Sequence, residues 1–366
     1  MADERGLVDD LLRGENDQVV SNRSSGGSSE ARLHSIWREK VIRWYFAIVS
    51  ALERQHQAAD NSPFNRTSVH VTAALLDSYL LTLPSELCLR YKHDRAAYQL
   101  LATTCLLLGM RLTLHDQQRS QVTSESENNS GNDHTTGADH PTGKLKRAKT
   151  HRDHMDQADH EEGEVGAENG TPSRPTDGPH ACSTTVVVIP TAAIILQMSA
   201  APKTISESKI LTMVREVTGS RAFPRSHVIT ALDYIRSLSS STHVAENDVK
   251  LTPEAAEEAY RLADISLRDV TLVGGRPSVV ASAAITLALF RSHNGSHDMA
   301  SLRQDVCATI FGEDADPAFQ VAVKKVEAKI LAAAHQATHV HAPRQMEMNL
   351  PIAHHVTAHL IPLEDE

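Results

Sequence analysis

Residues 98 to 112, YQLLATTCLLLGMRL, carry strongly polar side chains only at Gln99 and Arg111. A helix that crosses a bilayer needs about 20 apolar residues; this run is shorter, with Asp94 and Arg95 just before it and His115 and Asp116 just after. A helix that is apolar on every side must then be walled in by other helices. Ala102, Thr103, Thr104, Cys105 and Gly109 are small, so neighbours can approach its axis closely. The run predicts the hub of a helical bundle in a chain with no membrane partner.

Helical periodicity supplies the surrounding elements. In SIWREKVIRWYFAIVSALERQ, the residues Trp37, Val41, Trp44, Ile48 and Leu52 recur at the helical period. In TSVHVTAALLDSYLL the stripe is Val69, Ala73, Leu76 and Leu80, with Asp77 pressed against it. Thr191 to Met198 and Ser206 to Val217 add two more helices. The second of these lines one face with Ile210, Met213, Val214 and Val217 and offers Thr204-x-x-Glu207 as a capping box. With the hub these make five helices. The set is interrupted between Asp116 and Ser183, which carry 13 acidic residues against 7 basic and almost no apolar periodicity. So few apolar side chains cannot offset the entropy of ordering the backbone, and the insert is expected to be disordered.

A second helical set follows. TPEAAEEAYRLADISL opens it, with Thr252 as N-cap and Pro253 at the first helical position. RPSVVASAAITLALF, residues 276 to 290, is apolar and laced with small residues like the first hub; Ala102 falls opposite Ala281 and Leu108 opposite Leu287. Two such helices at corresponding places in successive sets mark an internal repeat. SLRQDVCATIF and DPAFQVAVKKVEAKILAAA close the set, the latter capped by Asp316 and striped by Phe319, Val323, Val326 and Ile330. The expected organisation is all-α: a flexible tail over 1–32 with a short helix around Leu7 to Leu12, a first domain over 33–238 holding the insert at 116–183, a second over 239–335, and a flexible tail over 336–366.

With 36 Lys and Arg against 46 Asp and Glu, the net charge of −10 argues against gripping a phosphate backbone, which needs a concentrated basic face. Cys88, Cys105, Cys182 and Cys307 lie far apart with no CxxC pair, as expected of buried free thiols in a reducing compartment. MADERGLVDDLLRGEND lacks the apolar core of a secretory signal. HRDHMDQADHEE, residues 151–162, has three His and five acids, but its spacings match no zinc pattern and a solvated polyampholyte explains it. No metal and no cofactor is expected.

These residues resemble a cyclin. WREKVIRW resembles the first-helix motif, with Arg38 and Trp44; LLDSYLL resembles the second-helix motif centred on Asp77; YQLLATTCLLLGMRL resembles the central third helix; SESKILTMVREV resembles the fifth; and LADISLRD followed by RPSVVASAAITLAL resembles the second cyclin box. The resemblance runs from about Ile36 to Ala334 and implies two tandem five-helix cyclin-box domains and no catalysis by the chain itself. It implies a partner too, a cyclin-dependent protein kinase bound beside its αC helix and activation loop.

The resemblance also implies a kinase-binding surface. A Lys ending the third helix and a Glu in the fifth form the characteristic contact pair of the family; here Arg111 takes the Lys position, next to Leu112, and Val214 takes the Glu position. The anionic half is then missing unless Glu207 or Glu216 reaches in. Arg38 and Asp77 align with a buried structural ion pair. Trp37, Val41 and Trp44 align with a patch on which some cyclins dock substrates or inhibitors, although indoles at helical spacing are more often the mark of a core, and Lys40 replaces an apolar residue there. In the insert, Thr171-Pro172-Ser173-Arg174 has the proline and basic residue favoured by cell-cycle kinases, and KLKRAK, residues 144–149, reads as a nuclear import signal or as plain charge mixing.

The expected function is therefore regulatory, as an activating subunit of a cyclin-dependent Ser/Thr kinase in cell-cycle control, working in nucleus and cytoplasm. Two alternatives stay open: a transcription-type cyclin fold that binds polymerase or DNA, and a cyclin-like adaptor without a kinase.

Overall fold

The structure is a computed structural model that describes residues 12–13, 34–56, 64–129, 191–198, 205–224, 227–240, 249–312 and 316–340. The chain divides into one unit of residues 1–121 and 187–366 and another of 122–186; the architecture below is that of the first. Its regular elements are helices, with no strand among the described residues. In chain order they are α1 (Ser35–His56), α2 (Arg66–Thr82), α3 (Ser85–His93), α4 (Arg95–Asn129), α5 (Ala192–Met198), α6 (Glu207–Gly219), α7 (Ala231–Ser240), α8 (Pro253–Ser266), α9 (Pro277–Ser292), α10 (Met299–Phe311) and α11 (Pro317–Val340). A 3₁₀ turn, Val270–Leu272, lies between α8 and α9.

Two hydrophobic cores divide these helices. The first gathers side chains of α1 to α6, and the second those of α7 to α11. In α4 every residue from 101 to 110 is buried, and in α9 every residue from 281 to 289. The aligned pairs Ala102 with Ala281 and Leu108 with Leu287 are all among them. In the second set α9 packs against α7, α8, α10 and α11, a hub with four neighbours. In the first, the Tyr45 hydroxyl of α1 donates to the Ala102 carbonyl of α4 at 2.9 Å, and α2 crosses α4 at Gly109. Over Arg95–Arg119 α4 is long and apolar enough to cross a membrane, but other helices bury it.

Gly109 sets how close that crossing is. A Cβ there would meet the Thr72 hydroxyl and lie 2.9 Å from both the Cα and the amide nitrogen of Thr72, so the backbones themselves would have to part. Gly109→Ala is expected to destabilise by ~1–3 kcal/mol through overpacking, against the ~1 kcal/mol that Ala gains in helix propensity. Urea denaturation checks this, and a variant more stable than the parent would show that the helices are not in contact there.

Several elements depart from the sequence reading. The first set has a sixth helix, α3, which buries Cys88 and Tyr91 and leaves Leu87 and Leu89 outside. The hub continues to Asn129 instead of giving way at Asp116; an established helix propagates readily into Gln- and Glu-containing sequence. The second core begins at Ile229 and takes in α7, earlier than the boundary expected at 239, and α11 runs past 335 to Val340. The cap of α6 is Ser206, whose hydroxyl accepts from the Lys209 amide at 3.4 Å. Thr252 and Asp316 accept at the starts of α8 and α11, at 3.2 Å from the Ala255 amide and 2.8 Å from the Ala318 amide. Leu12, in the segment expected to be a loose tail, is partly buried against the second core. The insert from 130 to 183, with KLKRAK, HRDHMDQADHEE, Cys182 and Thr171, lies outside the described residues, as does the tail from 341.

Polar side chains join the two sets. Arg66 on α2 reaches Glu257 (2.8 Å) and Asp264 (2.9 Å) on α8, and His70 on α2 lies 2.9 Å from the second oxygen of Asp264. His227, just before α7, sits between Asp233 of α7 (3.7 Å) and Asp116 of α4 (2.7 Å). Asp233 is itself fixed by the Thr230 amide, which donates to it at 2.7 Å. Asp233 and then Asp116 raise the His227 imidazole to about 9, with burial opposing them. The sign follows from linkage: a histidine raised on folding gives its full contribution below about pH 6.5, and loses it as pH climbs through the folded value. The parent should therefore lose stability between about pH 6.5 and 9 relative to His227→Gln. Urea midpoints of the two proteins across that window check it, and a constant difference would contradict it.

Candidate functional site

Arg38 closes the first turn of α1 and Asp77 lies in the second-last turn of α2. Their side chains meet in a two-pronged ion pair, Nη1 with Oδ1 and Nη2 donating to Oδ2 at 2.8 Å. Arg38 is 2% exposed and Asp77 9%. Burial pushes the Asp77 carboxyl up to about 6, opposed by the charge and hydrogen bonds of Arg38. An ion pair this deep joins α1 to α2 and is beyond the reach of a macromolecular partner.

Trp37, Val41 and Trp44 do not form a surface. Val41 and Trp44 are each 4% exposed and belong to the first core, because the α1 stripe faces inward from Val41 onward. Trp37 is half-buried, stacked on His34 with centroids 4.4 Å apart and tilted against Tyr98 of α4. The core alternative therefore describes Val41 and Trp44, and no three-residue docking patch exists there.

The residues assigned to the kinase contact fall on α4 and α6. Arg111 and Leu112 are half-buried, and since α4 continues beyond them they lie mid-helix instead of at an exposed end. Leu112 and Val214 both pack against the first core from partly buried positions. Glu207 and Glu216 sit on the exposed side of α6. The Glu216 carboxylate accepts from the Tyr79 hydroxyl of α2 at 2.6 Å. Burial first, and then this carboxylate, raise the Tyr79 hydroxyl far above its ordinary value. Glu216 therefore has a role in holding α6 to α2, which limits what it can offer a partner.

Three exposed leucines were not singled out from the sequence. Leu211 on α6 is 42% exposed, and Leu87 and Leu89 on α3 are about as open. For Leu211 the signal was present: the buried positions of α6 are Ile210, Met213 and Val217, and residue 211 falls off that stripe. α6 thus presents an apolar side chain among Lys209, Thr212 and Arg215, all exposed.

Among the described residues no cluster of three or more His, Cys, Asp and Glu side chains has the arrangement to hold a metal ion. Cys88, Cys105 and Cys307 are buried, and burial raises the Cys307 thiol to about 11 and the Cys105 thiol further, which suppresses thiolate chemistry. Compared with models of known protein families and with curated proteins, the chain matches none of either.

Proposed function

We propose that the chain is a cyclin-like regulatory subunit that binds and activates a cyclin-dependent protein kinase. The observation that supports this reading most is the repetition of one design, a helix buried on every side in each of two consecutive sets, in a chain whose first-set motifs are tied together by the buried Arg38 and Asp77. Such a body offers rigid helix faces and no catalytic cluster among the described residues. A partner kinase would dock on Arg111 and Leu112 of α4 and on Leu211, Val214 and Arg215 of α6. The pairing is carried by apolar burial around a cation that α4 holds in place, so that the kinase's mobile helix and loop are biased toward their active arrangement.

The adaptor reading keeps one observation in its favour: Val214 stands where the family has its Glu, and Glu216 is held by Tyr79. Affinity capture of the full chain from cell extract, read by mass spectrometry, separates the readings. A kinase catalytic subunit is the expected result; polymerase components with DNA, or neither kind of partner, would overturn it. Because the contact relies on burial more than on paired charges, its affinity should fall less than about tenfold between 50 mM and 500 mM salt. Titration calorimetry on the captured pair measures this, and a steeper fall would point to an ionic interface instead.

A further inference from the structure

A half-enclosed cavity of about 130 Å³ lies between the two helical sets. One wall is the outer face of α2, and the other is the start of α7 with the α8–α9 loop and the first turn of α9. The loop is held close to α2: Gly274 has φ +73°, and a Cβ on it would lie 3.0 Å from the Leu81 side chain. Val273 beside it is buried in the first core although the loop belongs to the second set.

Ala74, Leu81, Ile229, Val273 and Val280 supply the apolar lining. Most of the polar groups around them are spent within the protein. Arg38 and Asp77 neutralise each other, the Thr230 hydroxyl donates to Asp233, and the Ser266 hydroxyl donates to the Ala263 carbonyl. The Arg38 Nε is buried and out of reach of the cavity. Three groups are left over. His70 lays Nε2 on Asp264, and its Nδ1 has no partner among the described residues. The Ser78 hydroxyl, half-buried on the α2 wall, has none there either. Asp269 accepts from the Thr271 amide with Oδ1 at 2.8 Å, which leaves Oδ2 without a donor among the described residues. None of these three atoms is sealed from solvent.

Charge and hydrogen-bonding sense both narrow the ligand. Asp269 is the one charged residue of the lining without an ion pair among the described residues. Lys329 of α11 donates to the Thr271 carbonyl at 3.3 Å and stands outside the lining. The lining therefore carries one negative charge that nothing in it offsets. A neutral imidazole that donates from Nε2 presents Nδ1 as an acceptor, and a hydroxyl can act either way, so none of the three open groups is a donor alone. An anion would add to the charge of Asp269, and a carbonyl would find only the Ser78 hydroxyl to accept from; a cation with N–H donors suits all three. Size sets the rest, because an apolar cavity of about 150 Å³ admits benzene. We infer that this cavity binds a small organic ammonium ion with an apolar body of up to one ring, its N–H groups donating to the open oxygen of Asp269 and its body lying against Ala74 and Leu81. The inference stands apart from the kinase reading. A ligand held only by the folded chain raises its unfolding temperature.

The test uses the full chain at neutral pH with four probes of similar size, benzylamine, benzyl alcohol, toluene and benzoate, followed by ligand-observed NMR titration and thermal unfolding. Benzylamine should bind saturably and raise the unfolding temperature, while the other three, which lack the charge-assisted hydrogen bond, should each bind at least about tenfold more weakly. Free amines and lysine side chains both offer an ammonium on an apolar stem, and n-butylamine beside Nα-acetyl-lysine methylamide separates them: weaker binding of the amide assigns the site to a free amine, and tighter binding assigns it to a protein lysine. Asp269→Asn keeps a side-chain oxygen for the Thr271 amide and removes the charge, so it should unfold cooperatively and bind benzylamine at least about tenfold more weakly. Ala74→Leu, on the α2 wall, should fill the space and abolish binding. Benzylamine bound no more tightly than toluene or benzyl alcohol, benzylamine binding unchanged in Asp269→Asn or in Ala74→Leu, or no saturable binding of any probe would overturn the inference.

Discussion

Asp77→Ala should destabilise the folded chain by ~3–5 kcal/mol, because it leaves the Arg38 guanidinium buried and unpaired. Arg38 is 2% exposed, and both terminal nitrogens engage Asp77, so the stranded charge cannot swing out to water. Arg54→Ala, at an exposed position on the same helix, should change stability by less than ~0.5 kcal/mol. The double variant Arg38→Met with Asp77→Leu should recover much of the loss, since replacing both members of a buried pair by apolar groups of similar volume is often neutral. Urea denaturation of the four proteins decides it. An Asp77→Ala loss no larger than that of Arg54→Ala would mean that α1 and α2 are held together by their apolar contacts alone.

Arg111→Glu should weaken kinase binding by about 100-fold and abolish activation, because it reverses a charge at the centre of the assigned contact. Its position, half-buried in the middle of α4, means that some effect on the fold is expected as well, so the variant is read only after its thermal transition has been compared with the parent. Leu211→Asp supplies a second variant free of that concern, since Leu211 projects from α6 into solvent; it should fold like the parent and bind at least about tenfold more weakly. Val214→Glu should strengthen binding to a kinase whose surface expects the family's Glu. If Arg111→Glu and Leu211→Asp both fold and bind as the parent does, the partner surface lies elsewhere on the chain.

The two hubs were the most legible part of this fold, since their apolar runs leave no polar face, although α2 too is buried at every position from 67 to 81 except Ala74 and Ser78. α1, α2 and α6 were legible from one-sided stripes. α3 was not, because it is nine residues long with only Cys88 and Tyr91 buried, and the outward Leu87 and Leu89 obscure any period. α7 was missed although Leu232, Ile235 and Leu238 recur at helical spacing in it; lying directly after the first set, it reads as that set's end. The contacts of Arg66 and His70 with α8 link residues some 190 positions apart in sequence, and local pattern carries no trace of them. The same limit applied at the candidate site: residue spacing placed Arg111 and Val214 on helices, but burial, the engagement of Glu216 by Tyr79, and the exposure of Leu211 needed coordinates.

The central claim is that this helical body switches on a kinase, and the most direct measurement is the activity of the catalytic subunit captured from extract, purified alone and then mixed with the purified full chain. The account predicts a one-to-one complex and a rise in phosphorylation rate of at least about 100-fold, a population shift of roughly 3 kcal/mol toward the active kinase. A catalytic subunit that forms no complex with the chain, or binds it with no change in rate, would contradict the account.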